Sequence, residues 1–228
     1  MKFAAALMMA CARCAAPAAA RPRGESVMML VQAYPAEVPD DLSGINQARV
    51  VLMRYADCLI GHSALMVKRA LAMYSEEEAN KALARMSIDA CLTTGLLRFQ
   101  PRLLRGALFI ELYRREFRHG APALPATPID FAADINMPRD YYGYSQFVSR
   151  RKFADCVVRA NEGAAHTVVM ATAATHSETE AFAALAPSME HCLPAGERFQ
   201  MDRLSLTSLL AEVLYRNAHS SLVPAEKK

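Results

Sequence analysis

The sequence predicts an all-α protein of two tandem homologous four-helix repeats, each stapled by one disulfide. Apolar residues recur at helical spacing along most of the chain. Short sequence elements recur in the same order in the two halves, and each half carries one early and one late cysteine. A repeat of this kind implies that each copy is one structural unit.

The first twenty residues predict a signal peptide. Lys2 precedes the apolar stretch from Phe3 to Ala12, and small residues ending at Ala20 precede Arg21. A charged start, an apolar middle and an A-x-A exit are typical of secretory signals, so we expect cleavage near Ala20 and a periplasmic or secreted protein. Arg13 is a charged residue directly after this rather short apolar stretch. The alternative to a signal peptide is a misassigned start codon or an unstructured N-terminus.

The mature chain should carry almost no net charge. The full chain has 26 basic and 23 acidic residues, and cleavage would remove Lys2 and Arg13, leaving 24 against 23. A net charge near +1 argues against a nucleic-acid partner. No later stretch reaches the roughly 18 to 20 uninterrupted apolar residues of a membrane helix. We therefore expect no membrane span in the mature chain.

Three matching elements define the repeat. They are Arg-Tyr-Ala-Asp-Cys at 54–58 with Lys-Phe-Ala-Asp-Cys at 152–156, CLTTGLLRFQ from Cys91 with CLPAGERFQ from Cys192, and Leu-Tyr-Arg at 112–114 with Leu-Tyr-Arg at 214–216. The offset between the copies drifts from 98 to 102 residues. Small insertions therefore fall between the elements, where loops tolerate them.

These matches set the expected boundaries. They are a signal peptide at 1–20, a lead-in at 21–45, a first repeat at 46–117, a linker at 118–144, a second repeat at 145–219 and a disordered tail at 220–228. The linker contains four prolines and the apolar residues Ile129, Phe131 and Ile135, so we expect it to pack across the repeats. Tyr141, Tyr142 and Tyr144 should fill the groove between the repeats, with an exposed binding patch as the alternative.

Four helices are expected in each copy. The first carries Tyr55 and Cys58, or Phe153 and Cys156, on one face. Short helices follow, around 63–73 and 164–174. A third helix in each copy starts at a capping box, Ser75–Glu78 or Ser177–Glu180. Gly95 and Gly196 should end these helices as left-handed C-terminal caps. Pro187 should kink or shorten the third helix of the second copy. Fourth helices run from Pro101 to about 115 and from Asp202 to about 218.

The duplication narrows the disulfide pairing. Four cysteines in an exported chain allow three connectivities. Because two homologous copies should fold alike, we expect Cys58 to pair with Cys91 and Cys156 with Cys192. Closing loops of about 33 to 36 residues should contribute roughly 3 to 4 kcal/mol in the chain-entropy description.

The sequence resembles a group of uncharacterised exported proteins of alphaproteobacteria, sphingomonad types in particular. In that group a Phe/Tyr-Ala-x-Cys-Val/Leu element recurs with a later Cys-Leu, Arg-Phe and Leu-Tyr-Arg, as it does around Cys58 and Cys156 here. The resemblance covers both repeats, about two thirds of the chain. It implies export and repeat organisation, and it implies no activity and no catalytic residue.

Several polar residues occur in both copies and are the candidate ligand-binding residues. They are Asp57, Asp155, Arg98, Arg198, Gln100 and Gln200, together with Arg114 and Arg216. The structural interpretation is that each arginine binds carbonyl oxygens at the end of the third helix or pairs with the aspartate beside the disulfide. The functional alternative places them around a cleft, where guanidinium groups would clamp a carboxylate or phosphate.

The sequence offers no strong metal or cofactor signature. His62 with Met66 and His166 with Met170 are spaced i, i+4 and would suit copper, although methionine is common in helical cores. The spacing of His176, His191 and Cys192 does not fit zinc, and a disulfide-bonded cysteine cannot ligate a metal. The motifs of serine hydrolases, P-loop enzymes, zinc proteases and dinucleotide-binding folds are absent.

The leading functional hypothesis is a non-catalytic binding module of the periplasm or cell envelope. Its partner would be an envelope protein, held by surface from both repeats. The first alternative is a binder of a small carboxylate or phosphate, or an enzyme, using Arg98, Arg198, Asp57 and Asp155. The second is periplasmic copper binding through histidine and methionine.

Overall fold

The computed structural model describes residues 41–73, 76–86, 91, 99–131, 143–193 and 201–220. Several sequence predictions fall outside these described residues. They are the signal peptide, nearly all of the lead-in, Ser75, Gly95, Arg98, Ile135, Tyr141, Tyr142, Gly196, Arg198, Gln200 and most of the tail.

The described residues form seven helices and no strand, so the predicted all-α class is confirmed. The helices are α1 (Gly44–Ala72), α2 (Glu76–Ala84), α3 (Pro101–Glu116), α4 (Tyr144–Ala160), α5 (Glu162–Met170), α6 (His176–Cys192) and α7 (Arg203–Ser220). In α3 the residues from Leu104 to Ile110 are buried without a break, so this part of the helix is enclosed on all sides and not on one face alone.

The first two helices expected in the first half form one kinked helix, α1. Ser63 breaks the helical geometry with φ −146° and ψ 41°, and the helix resumes directly after it. In the second half the chain separates into α4 and α5 at Asn161. The Asn161 side chain accepts from Ala164 N at 3.0 Å, capping α5, while its own N–H donates to Val157 O at the end of α4.

The capping box predicted at Ser177 lies two residues too late. Thr175 is the N-cap of α6, and its hydroxyl accepts from Glu178 N at 3.3 Å. The Glu178 carboxylate in turn accepts from Ala174 N at 3.1 Å. Pro187 lies inside α6, so it does not end the helix, but α6 ends at Cys192 with an extended C-cap at Leu193 and does not reach the end expected at Gly196.

Helices α3 and α7 pack against each other at the centre of the fold, with α1 beside α3 and α4 beside α7. The buried side chains of both halves form one core. Its largest members include Leu52, Leu59, Leu108, Phe109, Tyr113, Leu185 and Leu210. Phe131 is also buried in this core and Ile129 packs on it, so the described part of the linker covers both halves.

The crossing of α3 and α7 requires a glycine at position 106. A Cβ added there would lie 2.6 Å from the Cβ of Ser208 and still closer to its hydroxyl oxygen. Real side chains do not approach so closely, so glycine sets the distance between the two central helices.

Two disulfides fasten outer elements to this centre, with the pairing that the sequence predicts. Cys58 of α1 is bonded to Cys91, beyond α2, and Cys156 of α4 is bonded to Cys192 at the end of α6. Disulfides are typical of oxidising compartments outside the cytosol.

By length and composition alone, α1 could cross a membrane, as many core helices could. Its buried residues, among them Leu52, Ala56 and Leu59, pack into the core. The predicted absence of a membrane span therefore stays a prediction.

Replacing Gly106 with Ala should lower the free energy of unfolding by about 1 to 3 kcal/mol, because the methyl group would force α3 and α7 apart. Urea unfolding followed by circular dichroism measures this. Gly163→Ala in α5 is the matched control, since its Cβ would meet only an ordinary contact at 3.9 Å. In a Ser208→Gly background the loss of stability caused by Gly106→Ala should be smaller. An equal loss in the two backgrounds would contradict the steric explanation.

Candidate functional site

The duplicated aspartates take different surroundings. Asp57 is exposed, and its carboxylate accepts from Arg115 Nε at 3.0 Å. Asp155 is buried and accepts from Arg159 Nε at 2.9 Å and from Asn217 Nδ2 at 3.1 Å. None of these three partners was among the predicted ligand-binding residues.

The remaining members of the predicted set are only partly described. Arg98, Arg198 and Gln200 lie outside the described residues, and Gln100 occupies the N-cap position of α3 without a side-chain cap bond. A cleft formed by the whole predicted set is therefore untested.

The arginines of the two Leu-Tyr-Arg elements bind the ends of other helices. Arg114 donates from Nε to Val169 O at 2.7 Å and contacts Ala171 O, at the end of α5. Arg216 donates to Leu71 O at 3.1 Å, at the end of α1. Cations are favourable at helix C-termini, where carbonyl oxygens lack partners. Both arginines therefore bind carbonyl oxygens at helix ends, but these are the ends of α5 and α1 and not the expected ends of the third helices.

A buried ionic cluster lies where α3, α4 and α7 meet. Glu212 of α7 is almost fully buried, and three guanidinium groups surround its carboxylate. Arg151 lies at 2.8 Å, Arg216 at 3.0 Å and Arg105 at 3.2 Å. Arg105 also donates to Met73 O at 3.2 Å, just beyond α1. One carboxylate thus joins three helices directly and reaches the end of α1 through its arginines.

The charges of this cluster depend on one another. Burial by itself would raise the pKa of Glu212, but Arg105, Arg151 and Arg216 outweigh burial and hold this pKa far below its usual range. Burial lowers the pKa of Arg151 to about 10, against the opposing effect of Glu212. Both groups therefore stay ionised at neutral pH.

A second buried ion pair ties the two halves together. The guanidinium group of Arg49 in α1 donates to both carboxylate oxygens of Glu178 in α6, and both residues are buried. Glu178 also accepts from Ala174 N, so the same carboxylate caps α6.

Sequence reasoning missed both ion clusters because their members are far apart along the chain. A weak signal was present, since Arg105 and Glu212 each lie among apolar residues of an amphipathic helix. A charge at such a position has to find a buried partner.

The histidine–methionine pairs proposed for copper differ in exposure. His166 shares a hydrogen bond of 2.8 Å with the Tyr113 hydroxyl, and Met170 packs partly buried against the core. Burial lowers the pKa of His166 and raises that of Tyr113. His62, just before the α1 kink, and Met66, just after it, are in contrast exposed.

His62 also lies against the first disulfide. Its ring nitrogen and the sulfur atoms of Cys58 and Cys91 all lie within 4.8 Å of one another. One helical turn after Cys58 brings His62 to this position. At the corresponding position after Cys156, the second half has Ala160.

No protein-family model, curated protein or solved structure matches the chain.

Replacing Glu212 with Gln should lower the free energy of unfolding by about 3 to 5 kcal/mol, because three buried guanidinium groups would lose their carboxylate. Chemical denaturation measures the loss. Glu180→Gln removes an exposed carboxylate that pairs with His176, and should cost less than about 1 kcal/mol. Similar losses in the two variants would show that the cluster is not a major source of stability.

The lowered pKa of His166 predicts a pH dependence. As pH falls below about 6.5, the unfolded chain takes up this proton before the folded protein does. The contribution of neutral His166 to the free energy of unfolding is therefore present above that pH. It is lost as pH falls toward the pKa of His166 in the folded protein. His166→Gln should flatten the stability profile between about pH 7.5 and about pH 5.5. His176→Gln, an exposed control, should keep the wild-type slope; identical slopes for both variants would refute the assignment.

Proposed function

We propose that this chain is an exported, non-catalytic binding module that arose by duplication of a four-helix unit. Export is supported by the signal-like residues 1–20 and by two disulfides, which persist in oxidising compartments. Cleavage near Ala20 and a periplasmic or secreted destination belong to the same proposal.

The duplication is supported by contacts that recur at the repeat offset. In the first half Asp57 pairs with Arg115. In the second half Asp155, 98 residues after Asp57, pairs with Asn217, 102 residues after Arg115. The break in α1 at Ser63 also lies 98 residues before Asn161, which separates α4 from α5.

The two halves also exchange equivalent contacts. Arg114 of the first half binds the end of α5 in the second, and Arg216 of the second half binds the end of α1 in the first. Gly106 lies against Ser208, 102 residues later. Such reciprocity is expected of two homologous units related by an approximate two-fold axis through the α3–α7 crossing.

The observation that carries the binding proposal is the exposed apolar surface after the α1 kink. Leu65 is 63% exposed, Met66 51% and Met73 37%. Three large apolar residues in nine positions of one helix mark a surface suited to a protein partner. We call Leu65, Met66 and Met73 the α1 apolar surface.

The alternatives have less support from the described residues. Asp155, Arg114 and Arg216 are engaged in internal contacts, whereas a carboxylate or phosphate clamp needs guanidinium groups that face a ligand. For copper binding by two histidine–methionine pairs, His166 would have to ligate through Nε2, because its Nδ1 is hydrogen-bonded to Tyr113, and Met170 would have to turn out of its partly buried place against the core.

The test is photocrosslinking in the producing cells with a benzophenone amino acid at position 65. We expect one discrete adduct in the exported fraction, on a chain whose mass starts near Arg21, and loss of the adduct when Met66→Glu is added. Ile45, 77% exposed at the start of the same helix, provides the control position. Equal labelling from positions 45 and 65, or none from 65, would refute the proposed surface.

A further inference from the structure

We propose that the Cys58–Cys91 pair, when reduced, forms a Cu(I) site with His62. This inference is independent of the proposed binding surface, since it uses the disulfide at the other side of the α1 kink. It differs from the histidine–methionine hypothesis, because the cysteines are the main ligands and no residue of the second half takes part.

The geometry brings the three ligands together before any metal binds. The ligand atoms of Cys58, His62 and Cys91 lie within 4.8 Å of one another, so small side-chain rotations can direct them to one ion. Cys58 and His62 lie one turn apart on α1, and in the disulfide-bonded chain Cys91 lies beside them, so the reduced chain keeps the site as long as its fold holds Cys91 in this place. His62 is exposed and both cysteines are half-buried, so an ion can reach the site from solvent.

The ligand chemistry favours Cu(I). Two thiolates and one imidazole form a soft, three-ligand set, whereas a structural zinc site takes four ligands.

The site is closed while the disulfide is intact, because a disulfide sulfur carries no thiolate charge. A dithiol reductant would transfer two electrons and two protons to the bridge and become a disulfide itself, leaving two free thiols. Binding of Cu(I) to both thiolates then releases two protons. The redox state of one bridge would thereby control metal binding.

The second disulfide provides an internal control. Cys156 and Cys192 have the same placement in their half, but position 160 is alanine where the first half has His62 at the equivalent offset. If bare thiol pairs were sufficient, both reduced bridges would bind alike.

The experiment titrates Cu(I) against bicinchoninate, anaerobically, with the full chain carrying Cys11→Ser and Cys14→Ser to remove its N-terminal thiol pair. Protein reduced with a phosphine and desalted should bind Cu(I) more tightly than oxidised protein. His62→Ala should weaken the tight site at least tenfold, whereas His176→Ala should not. The Cys156→Ser/Cys192→Ser variant should keep the site, and Cys58→Ser/Cys91→Ser should lose it.

Three results would overturn the proposal: equal binding by oxidised and reduced protein, equal affinities for His62→Ala and His176→Ala, or a tighter reduced site at the Cys156 pair. Circular dichroism of the reduced protein is measured in parallel. Loss of its helical signal would also overturn the proposal, because the ligands meet only in the folded chain. Preference for Zn²⁺ over Cu(I) with the same His62 dependence would refute the choice of metal.

Discussion

Glu212 is the group on which the arrangement of the central helices depends. A buried carboxylate is unfavourable unless cations and hydrogen-bond donors surround it, and Arg105, Arg151 and Arg216 do so from α3, α4 and α7. Two of these arginines also bind carbonyl oxygens at the end of α1. Moving any of the four helices would leave a charge or a carbonyl oxygen without its partner. The cluster therefore selects one packing among those that the apolar residues alone would allow.

The close crossing at Gly106 and the two disulfides act on this packing in different ways. The glycine lets the Ser208 side chain of α7 pack directly against α3, next to the contact between Arg105 and Glu212. The disulfides hold α1 and α4 to more distant segments and restrict the unfolded chain. Arg114 and Arg216, which recur in the two Leu-Tyr-Arg elements, are engaged in internal contacts of this kind and hold helix ends in place. Exposed groups with no such task, the α1 apolar surface and His62 beside its disulfide, are therefore the stronger candidates for binding.

Local features of the fold were predictable because local interactions control them. The helical class follows from apolar periodicity, the start of α3 from Pro101, and the disulfide pairs from the recurrence of one early and one late cysteine. The predicted helix starts and ends were wrong where neighbouring residues could each cap or break a helix. Thr175 caps α6 in place of Ser177, because Glu178 is held by Arg49 from another helix. Ser63 kinks α1 without ending it, whereas Asn161, with its better capping side chain, separates two helices.

By itself the sequence determined the all-α class, the cysteine pairing and the residues that recur between the halves. Only the tertiary structure decided which charged residues meet. Arg105 and Glu212 are 107 residues apart, and Arg49 and Glu178 are 129 apart. Periodicity reports which face of a helix is buried, but the partner of a buried charge depends on how helices cross, and that is set by packing across the whole core.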